Sequence, residues 1–187
     1  MMSTQVRLGR WQTAREAMNA RWHQLALALF MLIVTLHWVE HIAQVVQVYF
    51  LDWKRADAGG VLGMWYPWLT RTEALHYGFA IVMLVGLIVL RPGFTGTSRR
   101  WWTAAMWIQV WHHFEHLLLL VQAGTGTRLL DSSVPTTLLQ LVIPRVELHM
   151  FYNALVFVPM VVAMWYHRKP PADEPHTAVC SCTVRHA

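Results

Sequence analysis

The sequence predicts an all-α integral membrane protein, a four-transmembrane-helix bundle built from two tandem helical hairpins, with N- and C-termini cytoplasmic. Three observations predict it. The chain of 187 residues is 56% hydrophobic and only 13% charged, whereas soluble domains carry about 25% charged residues. Apolar stretches near 25–51, 73–90, 101–123 and 147–166 match the roughly 20 residues that cross a bilayer. Polar residues also recur inside those stretches at a nearly fixed offset, which is the mark of an internal repeat.

Taken in order, residues 1–24 form a basic amphipathic cytoplasmic segment. Trp11, Ala14, Met18 and Trp22 share one face, with Arg7, Arg10, Arg15 and Arg21 around it, a pattern suited to the membrane interface. A capping box from Thr13 to Glu16 predicts a helix within 5–24. The first span is too long for a signal-peptide core and is expected to remain as a span. The loop DWKRADAGGVLGMWYPWLTR, rich in glycine and aromatics, is expected to fold over the bundle as a lid. The second outer loop contains TTLLQLVI, closed by Pro144, which is too short to span and suggests a re-entrant or interfacial turn.

Charge orients the bundle. Arg91, Arg99 and Arg100 follow the second span, and Arg168 and Lys169 follow the fourth. With the N-terminal arginines, they place these ends inside. The net charge of +5 is therefore positive-inside charge attracted to membrane lipid, and nucleic acid is not expected as a partner. Residues 25–167 make the transmembrane domain, and 168–187 a disordered cytoplasmic tail. That tail carries Cys180 and Cys182 with His176 and His186 nearby, a weak soft-metal motif.

The chemistry lies in the repeat. An offset of 75 residues carries His37, Glu40 and His41 onto His112, Glu115 and His116, and Gln47 onto Gln122. An offset of 73 carries His76 onto His149, with Glu73 and Glu147 displaced by one position. On a helix, positions i, i+3 and i+4 share a face, so each HxxEH presents its three ionisable groups together. Bare charge near a helix centre costs on the order of 2.5–3.5 kcal/mol. A divalent cation offsets that cost better than interhelical hydrogen bonds of about 0.6 kcal/mol each.

The expected metal ligands are His37, Glu40, His41, His76, His112, Glu115, His116 and His149, with Glu40 and Glu115 bridging or completing the shell. Glu73 and Glu147, nearest the outer surface, are the candidate catalytic proton relays. His113 is either a further ligand or a neighbour of one. His167, away from the cluster, is expected to affect neither metal nor stability. The donor set implies two divalent transition-metal ions, with Fe or Cu favoured and Zn possible.

HxxEH differs from the zinc-protease HExxH, in which Glu directly follows the first His. Glu73-Ala-Leu-His76 does match the Glu-x-x-His of soluble di-iron bundles, but Glu147-Leu-His149 is one residue shorter. The leading expectation is a metal-dependent oxidoreductase of the bacterial inner membrane, acting on a lipid-soluble or quinone-linked substrate. Its electrons come from quinone or an extracytoplasmic carrier. A metal-ion transporter or metal-loading protein, able to work as a homodimer, is the second expectation, and a b-type haem carrier the third.

Overall fold

Helix starts follow local chain chemistry. In a computed structural model, which describes residues 10–174 and 180–182, the α-helices are α1 Arg10–Asn19, α2 His23–Tyr49, α3 Gly60–Trp65, α4 Pro67–Thr70, α5 Glu73–Leu90, α6 Gly96–Thr125 and α7 Arg145–Arg168. No strand occurs among the described residues. The Thr72 hydroxyl accepts from Leu75 N at the start of α5. Thr95 and Ser98 cap α6 reciprocally, and Pro144 leads into α7 with its preset φ.

By length and composition, three helices can cross a membrane: His23–Tyr49, the stretch Glu73–Gly93, and Arg145–Arg168. Four apolar stretches of spanning length are expected from the sequence. The exception is α6, the longest helix at 30 residues, which carries Trp, His and Gln where the others carry Leu, Ile and Val.

The four long helices form a ring in which α2 and α6 each pack against both α5 and α7. Their polarity is inverted relative to a soluble bundle. On α6, Gln109, His112, His116 and Gln122 are buried, while Trp107, Trp111, Phe114, Leu118 and Val121 form an exposed stripe. On α2 the exposed stripe is Leu25, Leu29, Leu32 and Leu36. Apolar surface this extensive fits a lipid surround.

The interior divides lengthwise. The half nearer the termini is an apolar core of Phe30, Val34, Leu87, Trp102, Val156 and Met160, and the Trp102 indole N–H donates to Leu87 O at 2.8 Å. The other half holds histidines.

Three local expectations change. Thr13 lies within α1, which is already helical at Arg10, so Thr13 and Glu16 do not cap it; residues 5–9 lie outside the described chain. TTLLQLVI forms only a 3-10 turn at Leu139–Leu141, with Leu138 and Val142 exposed. The tail also makes specific bonds where the sequence suggests disorder. The Glu174 carboxylate accepts from Thr97 N at 2.9 Å, in the first turn of α6. Ser181 Oγ accepts from Gln24 N at 3.0 Å, in the first turn of α2. Ser181 N donates to Ala20 O at 2.9 Å. His176 and His186 lie outside the described residues.

Candidate metal centre

The i, i+4 spacing brings His37 and His41 together on α2, with Nε2 atoms 3.0 Å apart. The same spacing on α6 places His112 and His116 Nε2 atoms 3.1 Å apart. His76 and His149 enter from the first turns of α5 and α7. The His149 ring centre lies 5.5 Å from that of His41, 5.8 Å from His112 and 5.2 Å from His116. His76 lies 6.0 Å from His149 and 6.2 Å from His116. The structure thus brings six of the predicted histidines together. Ligand atoms of His112, His116 and His149 lie within 4.8 Å of one another.

Hydrogen bonds orient the rings. His76 Nδ1 donates to Thr72 O and His149 Nδ1 to Arg145 O, each at 2.9 Å. His41 Nδ1 sits 2.8 Å from Gln44 Oε1. A neutral imidazole that donates through Nδ1 leaves Nε2 as a bare lone pair, the form in which histidine binds metals when a carbonyl holds its other nitrogen. Two imidazoles on one ion, each about 2.0–2.1 Å from it, bring their nitrogens to roughly 3 Å, the spacing seen within each pair. His37 is held by stacking on Phe79 at 3.7 Å. Among these rings lies a chamber of about 20 Å³, room for roughly one water-sized species.

Some polar atoms here are unmatched. His116 Nδ1 and Asn153 Nδ2 are buried without a hydrogen-bond partner, and each such atom costs about 1–3 kcal/mol.

The glutamates have other partners. Glu40 accepts from Leu62 N at 3.1 and 2.9 Å, tying α3 down over α2. Glu115 Oε2 lies 3.5 Å from His112 Nδ1, behind the ring rather than between the rings. Glu73 takes a two-point salt bridge from Arg145, both bonds 2.6 Å. Glu147 accepts from the Tyr49 hydroxyl and from Arg55 at 2.8 Å. Hydrogen bonding to Glu147 holds the Arg55 guanidinium above its ordinary pKa. His113 faces Tyr77 at 5.2 Å, apart from the six.

Gln47 and Gln122 act as matched clamps. Gln47 donates to Gly60 O at 3.1 Å and accepts from Gly60 N at 2.9 Å. Gln122 donates to Thr136 O at 2.7 Å and accepts from Thr136 N at 3.3 Å. Gly60 has φ +74°, and a Cβ there would run into the Glu40 carboxylate, so only glycine fits the turn. Above the histidines, a cavity of about 250 Å³ opens between the first loop and His41, His76, His149 and Arg145.

Sequence reasoning missed Arg145, Arg55 and Tyr49 as partners of the glutamates. Arg145 heads its span as an ordinary flanking cation does. The usable signal was its match to Glu73, since both open a helix at the same end of the bundle. No family model, curated protein or solved structure matches the chain.

Proposed function

We propose that this chain is a membrane metalloprotein whose six clustered histidines hold a dinuclear transition-metal centre, and that it acts as a metal-dependent oxidoreductase on a lipid-soluble or quinone-linked substrate. The observation that carries the reading is the pairing of Nε2 atoms at 3.0 and 3.1 Å, with His76 and His149 locked through Nδ1. Imidazole donors suit Fe and Cu, which supply one-electron chemistry when bound. The open cavity above the rings suits a substrate or electron donor arriving from that side. The chain's own residues orient the rings and exclude water from below. Glu73 and Glu147, at the starts of α5 and α7, are the assigned proton relays.

The exposed Trp and aliphatic stripe on α6 supports a fourth span, despite that helix's polar interior. The matched histidine pairs and glutamine clamps support two tandem hairpins. Lys/Arg asymmetry favours cytoplasmic termini, hence a site in the outer half of an inner membrane. The transport reading is weaker because the apolar core beneath the histidines carries no ligands along its length. Haem is disfavoured because each i, i+4 pair presents both imidazoles from one side, whereas a haem iron takes its two axial ligands from opposite faces.

The deciding experiment is metal content per chain of the detergent-purified protein, with an optical spectrum of the same sample. About two Fe or Cu ions without a Soret band is the expected result, consistent with the donor count. Zinc alone would redirect the reading to hydrolysis or transport, and a Soret band to haem. Protein that is purified empty and cannot take up metal overturns the proposal.

A further inference from the structure

The opposite end of the bundle gathers a second set of donors. His23 opens α2 and is fully buried at 0% exposure, yet neither of its ring nitrogens has a hydrogen-bond partner. His167, in the last turn of α7, is also buried, against the expectation that it plays no part. The two rings are 5.3 Å apart. The tail brings Cys180 Sγ to 3.1 Å from His167 Nε2. Ligand atoms of His23, His167 and Cys182 lie within 4.8 Å of one another.

We propose that His23, His167, Cys180 and Cys182 form a second metal site, for a soft d10 cation, Cu(I) or Zn(II). Two thiolates and two imidazoles make a tetrahedral set, whose edges around such an ion are roughly 3.3–3.8 Å. The His167–Cys180 separation of 3.1 Å is close to that range, and the ligand atoms of His23, His167 and Cys182 lie within 4.8 Å of one another. The backbone is already positioned: Ser181, between the cysteines, bonds to Ala20 O and Gln24 N, which lie either side of His23. Gly93 leaves space that the His23 ring fills.

Met31 and Met164 line a cleft of about 500 Å³ that reaches Cys182 and His167, and thioethers favour Cu(I). The site is separate from the six histidines, with the apolar core between them, and stands whether or not those bind metal.

The test is titration of the full chain in detergent, under reductant, with Cu(I) against a chromogenic chelator and with Co(II) as a probe of the zinc geometry. A thiolate-to-cobalt charge-transfer band, and one tightly held Cu(I) equivalent that Cys182→Ser removes, are expected in the parent protein. The half-exposed Cys182→Ser change should abolish the band, and His23→Ala should weaken binding at this end by about tenfold or more. His37→Ala should leave the thiolate band and the Cys182-dependent Cu(I) equivalent intact. Metal should also protect the tail from protease. Absence of both the cobalt band and the tightly held Cu(I), or binding undiminished in His23→Ala, overturns the site, the latter because the CxC would then bind without the bundle. Strong Co(II) binding with weak Cu(I) binding identifies zinc, and the reverse copper.

Discussion

The first hairpin, α2 with α5, and the second, α6 with α7, hold their histidines alike and their glutamates differently. In each, an i, i+4 pair meets Nε2 to Nε2, and a histidine on the returning helix donates Nδ1 to the carbonyl four residues back. In each, a glutamine clamps the loop that follows. Glu40, however, caps loop backbone while Glu115 sits behind His112. Glu73 pairs across the bundle with Arg145, while Glu147 pairs with loop residue Arg55. Geometry kept in both halves belongs to the shared chemistry, and geometry that differs belongs to local support. On the proposed reading, the comparison favours the histidines as ligands and Glu40 and Glu115 as their local support.

The largest effect that could break this comparison is at the ligands. His41→Ala and His116→Ala should each lose at least about half the bound metal, whereas Glu40→Gln should keep it, as measured by mass spectrometry on purified protein; a carboxylate that merely supports a site has a smaller effect than a ligand. Equal losses in all three variants would put the glutamates back among the ligands.

Next comes the difference between the two glutamate pairs. Arg145→Gln leaves the buried Glu73 unpaired and should cost roughly 3 kcal/mol. Arg55→Gln removes an exposed, solvent-screened partner and should leave stability nearly unchanged. Thermal unfolding in detergent reads both, and similar shifts would show that burial does not separate them.

The clamps should behave alike. Gln47→Leu and Gln122→Leu each strand a loop N–H and carbonyl, and each should cost about 1–3 kcal/mol and expose its loop to protease. A large effect in only one hairpin would weaken the case for a repeat.

The smallest effect is at the helix starts, where the tail caps α2 through Ser181 and α6 through Glu174. Hydrogen bonds from Thr97 hold Glu174 below its ordinary carboxylate pKa. The cap is therefore fully present above about pH 4.3 and is lost as pH falls through the lower folded value. Tail proteolysis measured across that window should rise on acidification, and Glu174→Gln should flatten the response.

Much of the site was legible because it depends on helical periodicity. Once residues 23–49 and 96–125 are helices, the i, i+4 histidines must lie side by side. His76 and His149 come to the same level because each lies at the start of its helix, three residues after Glu73 and four after Arg145. The polar stripe of α6 was legible too, although its composition hides it among the spans.

What the sequence determined by itself is thus the long helices and the side-by-side placement of the i, i+4 histidines, because these follow from a repeat of 3.6 residues per turn. Only the tertiary structure decided which cation answers each glutamate, that His113 turns away, and that the CxC tail folds back onto His23 and His167. Those pairings join residues as far apart as Gln24 and Ser181. Chain spacing carries no information about them, because they depend on which helices become neighbours and which buried charges must then be matched.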